Sequence, residues 1–521
     1  MKRIAPVFIA CCIASLIQAS ENPPSPRTPP AAPDDALLDG LSAIHQGRFS
    51  YGKSRFRAFL EADPSDPRGH LFLAFSEWWK LLQLGETVDS ENLNFHLLES
   101  VRVAQEQLNQ SPGDAQALSS LGTAYIFLAQ YRASQKKVFR AASAAKKGRG
   151  FLEKAVARDP ELVDPRFGLG AYNYYSDKVN LLVKGLRTLL FLPGGDSEKG
   201  LNQLREVAER GHYFRTEAHL LLGIIFQNHH EHRYLEALGH FRSALALNPG
   251  SPIILGTIGE MEIRLGRYPD AQSTLRRCIE IAGRSEDPEQ QELARMSRIL
   301  LSDSLSLSLH SVEAMDELET ALNGGEVQPV FRNRALTVAT QAATRLGATQ
   351  RLERIYRLLS VTEEERPRLQ ARFGAGPEEI RIFPTLRPAL QEMERGKPVE
   401  ARRRLEQIDS RFPNLPLVQL QLARTYFEQE RWAEAEARLR RIPDETSGEA
   451  VAAWILGWRD LYLGRVLDAQ GRKAEAREVY SRAATREGFR TRDLAKALLG
   501  PEGSARDLWP RQVFALGTNS F

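Results

Sequence analysis

Cysteine is almost missing from this chain of 521 residues: there are three, and two of them, Cys11 and Cys12, sit in an apolar run at the N-terminus. If that run is cut away, Cys278 stands alone, no internal disulfide can form, and the fold must rest on packing. Long apolar stretches are missing too. The N-terminal run Ile4–Ile17 is too short for a comfortable membrane span, and nothing in the composition suits a membrane barrel or a multi-span bundle. There is no excess of one charge. Charged residues make up 26% of the chain but balance to +4, and to +2 once Lys2 and Arg3 are removed, far from the dense basic stripe that nucleic-acid binding needs. The motifs of catalysis are lacking as well. No serine lies in G-x-S-x-G or S-x-x-K, and no cysteine–histidine arrangement survives loss of the N-terminal run. The glycines of Pro193-Gly194-Gly195-Asp196 are not followed by the GK[ST] of a phosphate loop. The sequence therefore leads to the expectation of no enzyme, no cofactor, no metal and no nucleic-acid partner.

At the N-terminus, Met1-Lys2-Arg3, the run to Ile17 and the small residues Ala19 and Ser20 follow the order of a secretory leader, with residues 1–19 removed and the protein exported to the periplasm or cell envelope. Two alternatives stay open: a lipid-modified Cys11 or Cys12, although Phe8 stands where such signals usually carry leucine, and a retained anchor. Residues 20–34 hold a PPSPRTPPAAP core, a stiff extended tether.

Beyond the tether the chain repeats. In residues 252–285, Ile258 and Gly259 sit seven and eight places into a 34-residue period, Gly266-Arg267 mark a turn, Ala271 is at place twenty, and Leu275 and Cys278 follow on the same face. A glycine and an alanine at those places let two antiparallel helices approach, with apolar residues spaced by three and four sealing the seam. Ala237 precedes Ala271 by one period. Units over 382–415, 416–449 and 457–490 repeat the pattern through Ala401, Ala435 and Ala476, and weaker units cover 295–328 and 333–366. Before residue 218 the pattern is stretched: Gly47, Phe56 and Phe59 mark a unit near 34–66, while Leu118, Leu121 and Gly122 find a partner only at Leu152 and Ala155.

This pattern resembles the tetratricopeptide repeat. The resemblance implies an all-α, right-handed α-solenoid of tetratricopeptide-like helix pairs, a scaffold that mediates protein–protein interaction. The expected divisions are an N-terminal solenoid with insertions over 35–366, a joint at 367–381, a C-terminal block at 382–499 and a non-repeat tail at 500–521. The segment 170–200, with G-x-Y-x-Y-Y followed by P-G-G-D-x-x-x-G, is similar to secreted bacterial tetratricopeptide proteins.

Three stretches invite chemistry. His212, His219, His229, His230, His232 and His240 crowd into 29 residues, but 229–232 reads as a solvated turn without the i, i+4 pairing of a metal-binding helix; a metal at that turn is the minor alternative. Leu181, Leu182, Leu186, Leu189 and Leu190 make an apolar stripe in 179–193, either a buried helix or contact with a membrane surface, as in a peripheral assembly factor. Lys136, Lys137, Arg140, Lys146, Lys147, Arg149 and Lys154 form a solvated face or a surface for an anionic partner such as lipid or polysaccharide. The family resemblance further implies that places two, five, nine and twelve of each unit face a groove for a protein or peptide partner. In the C-terminal block these places give Phe383, Met393, Arg424, Phe427, Trp458 and Arg465 as the tentative groove, with the arginines suited to a carboxylate.

Overall fold

The computed structural model describes residues 33–84, 90–178, 194–228, 231–308, 310–373, 377–446, 449–450, 453–486 and 489–501. The leader 1–19, most of the tether and the apolar stripe 179–193 lie outside them. Among the described residues the architecture is helical but for one antiparallel bridge between β1 (Glu445–Thr446) and β2 (Glu449–Ala450). No described helix is long and apolar enough to cross a membrane.

Two compact units divide the chain. The first comprises Met1–Ile224, His240–Ile254 and Ile281–Leu293, and the second comprises Ile225–Gly239, Leu255–Glu280 and Ala294–Phe521. The first unit contains α1 (Pro33–His45), α2 (Phe49–Ala62), α3 (Pro67–Leu84), α4 (Ser90–Gln110), α5 (Ala115–Ser134), α6 (Val138–Arg158), α7 (Pro165–Lys178) and α8 (Ser197–Arg210). The division then runs through α9 (Arg215–Phe226), α10 (Tyr234–Leu247), α11 (Pro252–Arg264), α12 (Tyr268–Gly283) and α13 (Pro288–Leu307). The second unit continues with α14 (Ser311–Leu322), α15 (Pro329–Leu346), α16 (Thr349–Leu358), α17 (Glu365–Phe373), α18 (Pro377–Glu394), α19 (Pro398–Arg411), α20 (Pro416–Glu428), α21 (Trp432–Arg440), α22 (Ala453–Ala469), α23 (Lys473–Thr485) and α24 (Phe489–Leu499).

Local chemistry sets these boundaries. Among the described residues nine helices begin on a proline, whose missing N–H is no loss in the first turn and whose fixed φ already suits a helix. Within pairs the turn has one recurring form. Gly266 takes φ +71° and the Arg267 N–H returns to the Glu262 carbonyl at 2.8 Å; Gly471 takes φ +80° and the Arg472 N–H returns to Leu467 at 2.9 Å. This is the six-to-one bond of a Schellman cap, which needs a left-handed residue at its centre. Glu430 holds the same place at φ +55° without being glycine, with the Arg431 N–H on Tyr426 at 2.9 Å.

The 252–285 unit forms as the sequence predicts. Ile258, Ala271, Leu275 and Cys278 are buried, and a Cβ at Gly259 would lie 2.6 Å from Leu275 Cδ2. Gly259→Leu and Ala271→Leu are each expected to cost about 1–3 kcal/mol through overpacking, with helicity elsewhere retained because repeats couple mainly to neighbours. Thermal melts followed by circular dichroism check both; wild-type melting in the two variants would place the seam elsewhere. The weaker units are helix pairs as well: Ala314, Leu318 and Ala321 of α14 and Tyr356 of α16 belong to one core that runs from Ile263 to Val361. The stretch expected as a joint, 367–381, holds the end of α17 and the start of α18 and lies inside the second unit.

In the first unit α3, α4, α5 and α6 lengthen to 18, 21, 20 and 21 residues, as the stretched pattern implied. Gly122 of α5 and Gly148 of α6 let the two backbones touch: a Cβ at Gly148 would stand 2.9 Å from the Gly122 carbonyl. The 170–200 motif has the same physical basis. A Cβ at Gly200 would lie 2.7 Å from both the Gly170 carbonyl and the Tyr174 nitrogen, and one at Gly195 would lie 2.1 Å from the Asn173 carbonyl. Asp196 caps α8, accepting from the Lys199 N–H at 3.0 Å. The glycines of this motif thus serve close packing of α7 on α8. Long-range contacts hold the first pair in place: His45 Nε2 meets Glu217 at 2.5 Å with both side chains buried, Ser251 Oγ donates to the His45 carbonyl, and Gln290 donates to the Gln46 carbonyl at 2.8 Å.

Candidate partner-binding site

Only part of the groove expected from the sequence is accessible. Arg424 is 1% exposed, Trp458 2% and Met393 7%. The reason lies in α20, where every residue from Pro416 to Tyr426 is buried, so the face that would line an open groove is covered by neighbouring helices. Arg424 is packed near Tyr462 and Glu428, and burial raises the Tyr462 phenol well above its usual range. These three side chains are core residues, and reversing the charge at Arg424 would test folding rather than binding. The Phe383 side chain lies outside the described residues. Phe427 and Arg465 are half-buried and reach a common cavity.

That cavity, of about 710 Å³, opens at the C-terminal end of the second unit between α20, α21, α22, α23 and the end of α24. Its apolar wall is Phe427, Trp432, Leu498 and Leu499. Phe427 packs edge-on against Trp432 at 5.1 Å and Tyr462 at 5.4 Å, which fixes its ring. Arg465, Lys473 and Arg477 bring positive charge to the rim, and Glu428, Glu430 and Asp468 bring negative charge. Asp468 is already engaged, accepting from the Tyr480 hydroxyl at 2.7 Å; burial and this bond push the Tyr480 phenol above its usual range. Lys473 and Arg477 are exposed. Such a site offers an apolar seat beside guanidinium and ammonium donors, a combination suited to a peptide with an apolar anchor and a carboxylate. Sequence periodicity missed Trp432, Lys473 and Arg477 because they lie on second helices, which the groove rule leaves out; the aromatic just after the Glu430-Arg431 turn was the available signal.

The histidines do not converge. His229 and His230 lie outside the described residues. His232, expected in a solvated turn, is buried with Nδ1 3.0 Å from the Tyr234 hydroxyl. His219 faces His240 with Nδ1 atoms 3.0 Å apart, and in the first unit His70 faces His96 at 2.9 Å. Among the described residues no group of three His, Cys, Asp or Glu side chains could hold a metal ion. Both pairs carry a pH signature instead. Burial, then the facing imidazole, pulls His96 and His219 down to about 4, and burial lowers His70. A histidine whose folded-state value lies below its unfolded one resists protonation only when folded. Its contribution is full above about pH 6.5 and is lost as pH falls toward 4. Urea midpoints measured from pH 7 to pH 4 are therefore expected to fall for the wild type, and to fall less for a His96→Gln/His219→Gln variant; equal slopes would exclude the pairs as the cause.

Comparison with known proteins agrees with this construction. The tetratricopeptide-repeat family model matches residues 392–454, which span α19, α20 and α21. No curated protein sequence matches the chain. Similar solved structures include a tetratricopeptide protein of Thermus thermophilus (16% identity, 44% of this chain and 100% of that chain, TM-score 0.29). A tetratricopeptide repeat protein of Parabacteroides merdae is similar at 16% identity over 55% of this chain and 97% of that chain, TM-score 0.24. Yeast Tom70 is similar at 13% identity over 86% of this chain and 96% of that chain, TM-score 0.28. The tetratricopeptide-repeat match is thus placed on α19–α21, and helix pairs of the same build recur on either side of it.

Proposed function

We propose that this protein is a non-enzymatic scaffold of the bacterial cell envelope that holds a segment of another protein in the cavity beside Phe427 and Arg465. The observation that carries the reading is the cavity itself: an apolar seat of fixed aromatic rings with arginine and lysine at its rim, on a repeat fold whose general use is protein binding. The order of charged, apolar and small residues at the N-terminus supports export, and sequencing the N-terminus of the protein isolated from its host tests it: a chain beginning near residue 20 agrees, and one beginning at Met1 in the cytoplasm does not.

The partner is identified by cross-linking and co-purification, and its affinity is then compared between wild type and Arg465→Glu/Arg477→Glu. Both positions keep solvent access, so the fold is expected to survive, as circular dichroism will show. Loss of two favourable charges and gain of two repulsive ones is expected to weaken binding at least about tenfold. Unchanged affinity would move the partner site away from this cavity.

A further inference from the structure

The strongest unassigned surface is on α6. Between residues 132 and 158 there are nine lysines and arginines and one acid, Glu153, in a chain whose total is only +4. Glu153 is engaged by Arg149 at 2.8 Å, so the excess is not neutralised within the segment. The helix sorts this charge cleanly. Ala141, Ala144, Gly148, Leu152 and Ala155 form the buried face. Phe139, Ser143, Lys146, Lys147, Gly150 and Lys154 run along the opposite face, and all of these but the half-buried Gly150 are exposed. From Phe139 to Lys154 the stripe is about 23 Å long at 1.5 Å per residue, with small residues between the cations.

At the N-terminal end of the stripe, Val138 is 50% exposed and Phe139 63%, side by side between Lys136-Lys137 and Arg140. An aromatic and an aliphatic side chain left in water among these three cations make poor sense for a purely solvated face. They suit an interface that is anionic at its surface and apolar just beneath it.

We propose that this face of α6 docks the protein on an anionic lipid surface, with Val138 and Phe139 entering the headgroup region and the lysines lying against the phosphates. A nucleic acid is disfavoured by the aromatic rings under the stripe. Tyr125 and Phe151 stack on each other at 5.9 Å, with Lys147 5.4 Å above the first ring and Lys154 5.5 Å above the second, so their faces are not offered to bases. The surface belongs to the first unit and the C-terminal cavity to the second.

The test is flotation of the full chain with vesicles of phosphatidylglycerol and phosphatidylcholine, and with phosphatidylcholine alone as the control for any contribution of residues 4–17. The expected result is binding that requires phosphatidylglycerol and is largely lost at about 0.5 M salt. Lys136→Glu/Lys137→Glu/Lys146→Glu/Lys147→Glu is expected to lower that partition at least about a hundredfold, and Phe139→Ser alone roughly tenfold, each with an unchanged circular dichroism spectrum. Absence of phosphatidylglycerol-dependent binding in the wild type, or equal binding by the fourfold variant, would overturn the proposal. So would capture by heparin or RNA without flotation, which would assign the face to an anionic polymer.

Discussion

Gly200→Ala is expected to lower the stability of the first unit by about 3 kcal/mol, at the upper end of what overpacking costs. The added methyl would stand 2.7 Å from the Gly170 carbonyl and from the Tyr174 backbone nitrogen. Both obstacles are main chain of a facing helix, which cannot swing aside as a side chain could, so α7 and α8 must separate and give up the burial of Leu204 and Tyr174. The same substitution at Gly239 has the opposite expected sign. Nothing lies within 4 Å of a Cβ there, and replacing glycine by alanine inside a helix gains about 0.5–1 kcal/mol. Chemical denaturation of the two variants beside wild type checks both signs at once; wild-type stability of Gly200→Ala would mean that α7 and α8 do not approach as described, and destabilisation by Gly239→Ala would contradict the open space at that position.

Asp460→Ala is expected to cost about 3–5 kcal/mol, the loss seen when one partner of a buried ion pair is removed. Asp460 is fully buried and accepts from Arg459 at 2.9 Å, Arg482 at 2.9 Å and Arg486 at 2.6 Å. Burial alone would raise its pKa, but the Arg482 and Arg486 hydrogen bonds and the Arg459 charge outweigh it and hold the carboxyl below its usual range. The sign follows: the folded-state value lies below the unfolded one, so this stabilisation is complete above about pH 4 and is lost only as pH falls through the lower, folded-state value. Removing the carboxylate leaves Arg459, itself 8% exposed, facing two other guanidiniums, with Asp444 and the Ile442 carbonyl as its remaining partners among the described residues. The C-terminal block should then unfold at lower denaturant than the remainder, visible as a separate transition by tryptophan fluorescence. A single unchanged transition in Asp460→Ala would contradict the network.

The repeat pattern was readable wherever sterics leave a local mark. Gly259, Ala271, Ala435 and Ala476 mark places where two helices meet, and the turn glycines mark Schellman caps; both kinds of constraint act within one 34-residue period. The cavity was half readable, because Phe427 and Arg465 lie on first helices as the groove rule requires. Arg424 and Trp458 were misassigned, since nothing local to either residue reports that α20 is buried from Pro416 to Tyr426 and α22 from Ile455 to Gly464. The contacts of the first pair were not readable at all. His45 meets Glu217 across 172 residues and Gln46 meets Gln290 across 244, distances over which no periodicity carries information. The 170–200 motif was visible as unusual, but its meaning as backbone contact at Gly170, Gly195 and Gly200 needed the two helices side by side.

The claim at the centre of this account is that another protein occupies the C-terminal cavity, and site-specific photocross-linking in the native host tests it most directly. A photoreactive residue in place of Trp432, inside the cavity, is compared with one in place of Tyr51, which is exposed on α2 and remote in sequence. The expected result is a discrete adduct from position 432 alone that disappears when Arg465→Glu/Arg477→Glu is added. Adducts of equal yield from both positions, or an adduct at 432 that survives the charge reversal, would contradict it.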